Sequence, residues 1–579
     1  MKKGQMRIIA KIIKYIKKYM FFVLLSLISA VITVVFSLYI PILTGNAIDL
    51  IIGQKNVNMA GISNILFKML IYIGISALAS WLMNMSNNKI VYNTIRDIRK
   101  DAFEKIQKIP IKNIDEAAHG DMVSRVIADV DQFADGLLMG FTQFFTGVLT
   151  IFGTMYFMIT IDIKISVVVV LLTPLSFFVA RYISKKTYNM FQLQSKTRGE
   201  QTSLIDEMVG NEKLVQAYCY ENEAIERFDE VNERLKKSSL TAIFFSSLTN
   251  PCTRFINSLV YTGVGLTGAF TAIRGGISVG QLTCFLSYAN QYTKPFNEIS
   301  GVVTELQNAL ACAVRIFELL DMKEQDINEG AVDIRKPQGN IEFKDVSFSY
   351  IQGQELIKNL NLNVKQGQTV AIVGPTGCGK TTFINLLMRF YDIDSGVITL
   401  DNIDINDITR ESLRTSYGMV LQDTWLRSGT VKENILMARP KATDEEIVEA
   451  AKKSHAHSFI KRLPNGYDTV IGEDGGNLSL GQKQLLSITR ALISKPSMLI
   501  LDEATSSIDT RTELKIQQAF DEIMKGKTSF IVAHRLSTIR NADIILVMKD
   551  GNIIEQGNHE KLLQEKGFYY TLYNSQLSS

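Results

Sequence analysis

The glycine-rich stretch from Gly374 to Thr381 constrains the fold of this chain more than any other part of its sequence. It reads GPTGCGKT and matches G-x-x-x-x-G-K-[ST], the pattern of a phosphate-binding loop. The apolar residues 369–373 predict a buried strand before the loop, and residues 382–388 predict a helix after it. Glycines let the backbone curl so that its N–H groups point inward, and the helix start adds the positive end of its dipole. This pattern predicts an α/β domain that binds nucleotide phosphates.

The loop residues have separate expected roles toward bound ATP. The ammonium group of Lys380 can reach the β- and γ-phosphates, and the hydroxyl of Thr381 can ligate Mg²⁺. The residues expected to contact ATP here are Gly374, Pro375, Thr376, Gly377, Cys378, Gly379, Lys380, Thr381 and Thr382.

A second buried strand is predicted for the apolar residues 498–501, and it ends in the adjacent carboxylates Asp502 and Glu503. Ligands bind at the carboxyl ends of such strands. Asp502 is therefore expected to hold Mg²⁺, and Glu503 to act as the general base that polarises the attacking water. A strand that ends in a solvated acidic turn is the alternative interpretation.

Between these two motifs lies the stretch NLSLGQKQ, residues 477–484, followed by a helix predicted for residues 485–493. Ser479 and Gly481 stand at the start of that helix, where unpaired backbone N–H groups favour anions. The sequence therefore predicts a second phosphate-seeking element, separate from the loop at Gly374.

The chain from residue 20 to residue 306 carries repeated apolar stretches, each near the roughly 20 residues that a helix needs to cross a bilayer. We predict six membrane-spanning helices, with a tight hairpin between the third and the fourth. The predicted spans are residues 20–43, 65–85, 137–160, 163–183, 242–273 and 280–303.

The distribution of basic residues predicts which ends of these spans face the cytoplasm. Residues 1–19 and the long connections after the second and fourth spans are rich in Lys and Arg, whereas the other connections carry little positive charge. The positive-inside rule then makes both termini cytoplasmic. Isoleucines at helical spacing among the N-terminal lysines predict an amphipathic helix on the inner leaflet. The long connections are expected to extend the helices and to contact the nucleotide-binding domain near residues 121–126 and 210–215.

Polar side chains inside the fifth and sixth predicted spans are candidates for lining a substrate cavity, because lipid cannot solvate them. The alternative is hydrogen bonding between helices, with basic side chains reaching toward the headgroups. The candidate cavity residues are Arg254, Asn257, Tyr288, Gln291, Tyr292 and Lys294.

Charge and cysteine content argue against two other classes of function. A net charge of +4 over 579 residues gives no argument for nucleic-acid binding. The five cysteines are widely spaced and include no C-x-x-C pair, which predicts free thiols rather than a disulfide framework or a metal site. Alkylation of Cys378, inside the phosphate-binding loop, is expected to block nucleotide.

The phosphate-binding loop, the segment at Ser479 and the carboxylate strand occur in an order and spacing that resemble the nucleotide-binding domain of ABC transporters. With the six preceding spans, nearly the whole chain resembles an exporter-type half-transporter in which membrane and ATPase domains are fused. The resemblance implies an all-α six-helix transmembrane domain followed by an α/β P-loop ATPase domain. The expected parts are an amphipathic helix at 1–19, the transmembrane domain at 20–320, a linker at 321–339 and the nucleotide-binding domain at 340–579.

The resemblance implies further roles in ATP binding and hydrolysis. Tyr350 matches the aromatic residue that stacks on adenine, although its ring could equally be a core residue, and Gln422 matches the glutamine that meets Mg²⁺. Asp509 matches the loop that crosses the dimer interface, and His534 matches the histidine that contacts the γ-phosphate. The expected catalytic residues are Lys380, Gln422, Glu503 and His534, and the expected Mg²⁺ ligands are Thr381, Gln422 and Asp502.

In this family two ATPase domains pair head to tail, so that each ATP lies between one phosphate-binding loop and the partner's signature segment. Here that segment is Ser479, Leu480, Gly481 and Gln482. Leu480 departs from the family's usual Leu-Ser-Gly-Gly-Gln at the first glycine. A bulky side chain there is expected to slow the site that it completes, which favours a heterodimer with a second half-transporter. A homodimer that tolerates Leu480 is the alternative.

The implied function is ATP-driven export of amphipathic molecules, such as drugs or lipids, across the plasma membrane by alternating access. A fused-type importer, for example one for metal chelates, and a peptide exporter are alternatives within transport. An ATP-gated channel or sensor is an alternative from another class, and the predicted general base Glu503 argues against it.

Overall fold

The computed structural model describes residues 3–51, 57–116, 119–325, 330–351, 353–354, 356–422, 424–472, 475–502, 508–532 and 539–577. The chain divides into two units, one of Met1–Lys108 with Ala117–Met322 and one of Ile109–Glu116 with Lys323–Ser579. The division at Met322 lies close to the domain limit predicted at residue 320, and the limits predicted at residues 19 and 339 stay predictions.

The chain up to Met322 is helical, because it consists of long apolar or amphipathic runs with few breaks. A 3₁₀ turn at Lys17–Tyr19 precedes the second helix, and a π-helical turn at Gly140–Phe144 separates the sixth from the seventh. The helices are α1 (Lys3–Ile16), α2 (Met20–Asp49), α3 (Met59–Ile106), α4 (Ile111–Asp115), α5 (His119–Val126), α6 (Ala128–Met139), α7 (Phe145–Ile161), α8 (Ile163–Gly210), α9 (Glu212–Ala217), α10 (Glu221–Ser247), α11 (Thr249–Ile273) and α12 (Val279–Asp321).

The tight hairpin predicted between the third and fourth spans is confirmed. Only Asp162 separates α7 from α8, and its backbone is extended, which ends the first helix. Its carboxylate accepts hydrogen bonds from the backbone N–H groups of Lys164 (2.8 Å) and Ile165 (3.0 Å). The same residue therefore terminates α7 and caps α8.

Four helical stretches of the described residues are long and apolar enough to cross a membrane. They are Met20–Asp49, Met59–Ile106, Gly120–Ile161 and Glu221–Ile273. These stretches contain the first, second, third and fifth predicted spans. The fourth and sixth predicted spans fall within α8 and α12, which are outside this set, so the count of six spans stays a prediction.

The predicted amphipathic helix at the N-terminus is present as α1, but much of its apolar face packs on protein. Ile12 is buried in a cluster with residues of α3, α6 and α12, and Ile8 and Ile16 pack against the same cluster. The Tyr15 hydroxyl donates to Asp101 of α3 (2.6 Å), and Lys11 pairs with Asp321 at the end of α12. Protein therefore covers Ile12 and part of Ile8 and Ile16, and the expectation that α1 lies on the inner leaflet stays a prediction.

The contact segment predicted at residues 121–126 stays a prediction. Those residues lie within α5, which belongs to the first unit, whereas Ile109–Glu116 belongs to the second unit together with residues after Met322. α4 lies within that stretch and begins directly after Pro110. The second predicted contact segment, near residues 210–215, spans the junction of α8 and α9 and stays a prediction.

The second unit contains two main sheets. A six-stranded sheet has the order β12-β11-β3-β10-β9-β6, and a four-stranded antiparallel sheet has the order β2-β1-β4-β5. The strands are β1 (Ile341–Phe348), β2 (Ile357–Val364), β3 (Thr369–Val373), β4 (Ser395–Leu400), β5 (Ile403–Asp404), β6 (Tyr417–Val420), β7 (Gly429–Thr430), β8 (Val470–Ile471), β9 (Met498–Asp502), β10 (Thr528–Val532), β11 (Ile544–Lys549) and β12 (Asn552–Gly557).

Helices cover the six-stranded sheet because its strands are apolar on both faces. Alternate residues of each strand belong to two clusters: one packs against β1, β4 and the helix after the phosphate-binding loop, and the other against the helices that follow β6. The helices are α13 (Lys380–Leu387), α14 (Arg410–Thr415), α15 (Val431–Leu436), α16 (Asp444–Lys453), α17 (His457–Ile460), α18 (Leu480–Ile493), α19 (Thr510–Met524), α20 (His559–Glu565) and α21 (Phe568–Leu577).

In the first unit, the end of α2 is closely packed against the start of α12. The Gly280 backbone N–H and the Ser278 hydroxyl donate to the carboxylate of Asp49, at 2.8 Å and 2.6 Å. A Cβ built on Gly280 would lie 2.0 Å from the carbonyl oxygen of Gly45. The two helices can approach this closely only because both positions are glycine.

Gly280→Ala is expected to destabilise the first unit by about 1–3 kcal/mol, because the added methyl group must force the backbones of α2 and α12 apart. Thermal unfolding of the detergent-purified protein measures this as a lower melting temperature. Gly265→Ala in α11 is the matched control, since a Cβ there meets nothing within 4 Å. Equal melting temperatures for the two variants would contradict the close packing at Gly280.

Candidate functional site

The phosphate-binding loop lies between β3 and α13, as its pattern requires. Gly377 and Gly379 have φ angles of 84° and 101°, in the left-handed region that favours glycine. A Cβ on Gly374 would lie 2.2 Å from the carbonyl oxygen of Met548 on β11. The loop therefore leaves the sheet so close to the neighbouring strand that only glycine fits at its first position.

Lys380 begins α13, and its side chain turns back toward the loop. Its Nζ donates to the carbonyl oxygens of Gly374 (2.8 Å) and Pro375 (3.0 Å). Gly379 at the helix N-cap supplies no side chain to occupy the first backbone N–H groups of α13. A positive charge and a helix start are thus available together at the loop, which is the arrangement that binds phosphate.

A cavity of about 490 Å³ lies at this loop. It brings together most of the predicted ATP-site residues, because the parallel strands β3, β10, β9 and β6 present their carboxyl ends at one edge of the sheet. The lining residues are Tyr350, Leu356, Thr376, Gly377, Gly379, Lys380, Thr381, Thr382, Gln422, Asp502 and Val532.

Three of the lining residues fit a magnesium ion. Thr381, Gln422 and Asp502 offer a hydroxyl, an amide and a carboxylate group to the same cavity. Mg²⁺ prefers such hard oxygen ligands and is usually bound with few protein groups plus phosphate oxygens. The chemistry of this donor set is therefore compatible with Mg²⁺ held between the protein and a triphosphate.

The Cys378 side chain is not part of the cavity lining. It is only 3% exposed and belongs to the core cluster between the two sheets. The Cys378 thiol is therefore buried beside the cavity and not open to it. The expectation that alkylation of this thiol blocks nucleotide stays a prediction.

Tyr350 lies at the edge of the cavity, two residues after β1. Its hydroxyl donates to the hydroxyl of Thr382 (3.2 Å) and accepts from the side-chain amide of Asn385 (3.2 Å), both on α13. Its ring packs edge to face against Phe348, with centroids 4.9 Å apart. The ring is thus held at the cavity while remaining about one-third exposed, and its stacking on adenine stays a prediction.

Two predicted catalytic residues, Glu503 and His534, lie outside the described residues. The structure does describe the strands that precede them. β9 ends at Asp502 and β10 ends at Val532, and these two strands pair in register at that end. The roles of Glu503 and His534 stay predictions.

The signature segment forms the start of α18, which begins earlier than predicted. Ser479 is the N-cap, and it exchanges hydrogen bonds with Gln482 in a capping box. Leu480 is 43% exposed, whereas Gly481 is buried. Among the residues described around the phosphate-binding loop, the cavity lining includes none of the signature segment.

Gly481 is buried because α19 passes beside it. A Cβ on Gly481 would lie 2.4 Å from the Cγ2 atom of Thr512. The predicted dimer-loop residue Asp509 is the N-cap of α19, where its carboxylate accepts from the Thr512 backbone N–H at 3.0 Å. These hydrogen bonds at the helix start lower the pKa of Asp509. Thr512 thus links the two: its backbone N–H binds Asp509, and its methyl group lies beside Gly481 of the signature segment.

Sequence reasoning missed a hydrogen-bonded group that supports the segment after Gln422. The Arg490 guanidinium of α18 donates to the carbonyl oxygens of Asn434 and Trp425, both at 2.6 Å. Asn434, which is buried, donates in turn to the carbonyl oxygen of Arg427 (2.8 Å). Burial lowers the pKa of Arg490. The sequence did carry a signal for this group: Arg490 lies within the mostly apolar residues 485–493 that follow the signature segment.

The six candidate cavity residues of the membrane spans differ in how far their side chains are buried in this conformation. Tyr288 is buried and its hydroxyl donates to the carbonyl oxygen of Leu38 on α2 (2.6 Å), and Tyr292 is also buried. Gln291 and Asn257 are half-buried, whereas Arg254 and Lys294 are exposed. The two tyrosines are thus packed between helices rather than open, and a cavity lined by all six stays a prediction.

Comparisons with known proteins agree with this arrangement. Residues 23–296 match the family described as the ABC transporter transmembrane region, and residues 357–506 match the family described as ABC transporter. A "Fatty acid ABC transporter ATP-binding/permease protein" of Mycobacterium bovis is 40% identical over 90% of this chain and 83% of its own length. An "ATP-dependent lipid A-core flippase" of Syntrophus aciditrophicus is 34% identical over 88% of this chain and 84% of its own length.

A solved structure has a similar fold along nearly the whole chain. It is described as the "Structure of a bacterial Atm1-family ABC exporter with ATP bound". The TM-score is 0.80, the identity is 25%, and the match covers 97% of this chain and 98% of the other. The chain therefore belongs to the ABC transporters in which a transmembrane region and an ATP-binding domain are fused, and it is an ATP-hydrolysing membrane transporter of the exporter type.

Proposed function

We propose that this protein is one half of an exporter that moves an amphipathic, lipid-like molecule out through the plasma membrane, with both termini in the cytoplasm. The observation that supports the ATP-dependent part most strongly is the shared cavity. Lys380 and Thr381 follow β3, Gln422 follows β6 and Asp502 ends β9, and all four line the same space. Positive charge and oxygen ligands at one sheet edge are what a magnesium-bound triphosphate requires.

The proposed hydrolysis divides its roles among these residues. Lys380 and the loop backbone hold the β- and γ-phosphates, and Thr381, Gln422 and Asp502 would hold Mg²⁺, which when bound would supply positive charge to neutralise the phosphate oxygens. Glu503 takes a proton from water as its oxygen attacks the γ-phosphorus, and the bond to the bridging oxygen breaks to release ADP. His534, two residues after β10 in the sequence, is proposed to contact the γ-phosphate.

The proposed assembly is a head-to-tail dimer in which each signature segment completes the partner's site. It is supported by the position of Ser479 and Leu480, which are exposed and do not line the cavity of their own chain. Leu480 presents a branched apolar side chain where a partner's ATP would approach. We therefore favour a heterodimer, in which the partner's signature segment completes the faster site.

The proposed substrate class rests on the relatives and on charge. Two relatives are named for fatty acid transport and lipid A-core flipping. The sixth predicted span of this chain exposes Lys294, whose ammonium group lies 3.8 Å from Glu298 one helical turn later. A basic group on a predicted span suits an amphipathic substrate with an anionic head.

Glu503→Gln is expected to retain ATP binding but to lower hydrolysis at least about 100-fold, because the amide cannot accept the proton of the attacking water. The measurement is phosphate release and nucleotide retention by the protein in lipid vesicles, with ATP-dependent substrate export recorded in parallel. Glu560→Gln, at an exposed carboxylate of α20, serves as the control. Unchanged steady-state hydrolysis in the Glu503 variant would contradict the proposed general base.

Leu480→Gly is expected to raise the ATPase rate of the assembled dimer, because it removes the bulk that the partner's nucleotide would meet. Leu480→Met keeps a side chain of similar volume and is expected to leave the rate unchanged. Steady-state ATPase assays on dimers of verified composition measure both. The argument for a slow site fails if the glycine variant hydrolyses ATP no faster than the methionine variant.

Lys294→Ala is expected to reduce export of an anionic amphiphile while sparing a neutral one, because only the anionic head interacts with the ammonium group. The measurement compares a fluorescent fatty acid with its methyl ester, both loaded in the same vesicles. Lys68→Ala, at an exposed lysine of another predicted span, is the matched control. Equal loss of export for the acid and the ester would indicate a structural role for Lys294.

A further inference from the structure

Another cavity of the second unit lies at the edge of the six-stranded sheet opposite the ATP cavity. Its volume is about 310 Å³, and it lies between the ends of α16, α18 and α19. Pro496 and Lys527, which line it, precede β9 and β10, whereas Asp502 and Val532 at the ATP cavity end those strands. A strand rises about 3.3 Å per residue, so the five residues of each strand separate the two cavities by roughly 13–16 Å. We call this cavity the lysine cleft.

Four lysines line the lysine cleft, and three of them are paired with the three glutamates that line it. The pairs are Lys453 with Glu449 (2.8 Å), Lys495 with Glu446 (2.7 Å) and Lys525 with Glu522 (2.5 Å). An ammonium group has three N–H donors, so a paired lysine can still donate to a second acceptor. Glu446 also accepts from Arg439 (2.9 Å), just outside the lining. The cleft therefore has a surplus of positive charge and spare N–H donors.

Lys527 is the fourth lysine, and its ammonium group has no ion pair or hydrogen bond within the part of the chain that the structure describes. Its side chain is half-buried, whereas the other three lysines are exposed. Burial lowers the pKa of Lys527, and the positive charge of Lys453 lowers it further. Lysines at helix ends commonly neutralise the helix dipole, but that effect stabilises the ammonium form. Lys527 instead loses its proton more readily than a solvated lysine does.

The remaining lining of the lysine cleft is apolar. It consists of Ala450, Leu492, Ile493, Pro496 and Ile523. Cavities of roughly 300–1,000 Å³ hold small molecules, which makes this cleft large enough for a compact ligand. An uncharged acyl group fits the apolar side chains, and a phosphate group fits the spare donors of the lysines, which bind phosphate as point charges. An acyl phosphate carries both groups.

We propose that the lysine cleft is an acylation site, in which a small acyl phosphate binds and transfers its acyl group to Lys527. The three paired lysines hold the phosphate group through their spare donors. The unprotonated Nζ of Lys527 attacks the carbonyl carbon, an amide C–N bond forms, and the bond from that carbon to the bridging oxygen breaks. The phosphate leaves with the bonding electron pair and takes the proton that the nitrogen loses. The acylated residue is uncharged, which leaves three lysines balanced by three glutamates in the cleft.

The first test treats the detergent-purified full-length transporter with acetyl phosphate and follows acetylation of each lysine by mass spectrometry of its peptides. Lys527 is expected to react at least about fivefold faster than Lys525, because Lys527 has the lowered pKa and Lys525 is engaged by Glu522. The two lysines are only two positions apart, so they meet the same reagent in the same sample. Equal rates at Lys527 and Lys525 would overturn the proposal.

Lys453→Met is expected to slow acetylation of Lys527 about three- to tenfold, because it removes both the positive charge that lowers the pKa of Lys527 and one donor to the phosphate. Lys452→Met is the matched control, since Lys452 is the adjacent exposed lysine and does not line the cleft. ATP hydrolysis checks that both variants are folded, because neither residue lines the ATP cavity. The same rate at Lys527 in the two variants would contradict the proposed site.

A neutral acetyl donor separates binding in the cleft from general reactivity of the amine. Acetylation by p-nitrophenyl acetate is expected to favour Lys527 over Lys525 at least about threefold less than acetylation by acetyl phosphate, because the neutral ester has no phosphate for the lysines to hold. Inorganic phosphate is expected to slow the reaction of acetyl phosphate at Lys527 and not at Lys525. An equal preference with both donors, or no effect of phosphate, would show that the cleft does not bind the donor.

The pH dependence of acetylation provides a further check. Glu449 raises the pKa of Lys453, whereas the pKa of Lys527 is lowered. Only the unprotonated amine reacts, so acetylation at Lys527 is expected to reach half of its maximal rate at a lower pH than acetylation at Lys453. The reverse order of the two pH profiles would overturn the assignment of Lys527 as the reacting amine.

Discussion

The parallel pairing of β10 with both β3 and β9 determines where the chemistry of this protein can take place. Val532 of β10 pairs with Ile372 on one side and with Asp502 on the other, so the three strands end at the same level. The phosphate-binding loop leaves β3 at that level, and Asp502 stands at the end of β9. The residues of the ATP cavity meet because the sheet brings these ends together, although 125 positions of sequence separate Val373 at the end of β3 from Met498 at the start of β9.

The sequence predicted this part of the molecule well, for a physical reason. Buried parallel strands are apolar on both faces, so β3 and β9 stand out as uninterrupted runs that end at a loop or a carboxylate. The start of α18 was placed too late, because residues 480–484 are mostly polar and carry no apolar periodicity. The capping box at Ser479 makes those residues helical, and recognising it would have placed the start correctly.

Other features could not be read from the sequence, because they depend on contacts between distant segments. α4 has only five residues, too few to show helical periodicity, and the hydrogen-bond partner of Asp115 is Tyr391, in the loop after α13 and 276 positions away. Tyr288 illustrates the same limit within the membrane helices. Its spacing placed it on a polar face of α12, but only the packing of α2 beside it shows that its hydroxyl is already bonded.

The two ends of the ATP cavity are connected to different parts of the chain. Beyond Gln422, at the phosphate end, Arg490 binds the carbonyl oxygens of Trp425 and Asn434, which ties this segment to α18. A charge-assisted pair of bonds from the half-buried guanidinium resists separation, so this segment and α18 are expected to move as one body. At the base end, Tyr350 is tied through Tyr391 to α4. In the proposed head-to-tail assembly, a nucleotide that spans the cavity would contact both of these supported ends, Lys380 and Gln422 at one end and Tyr350 at the other.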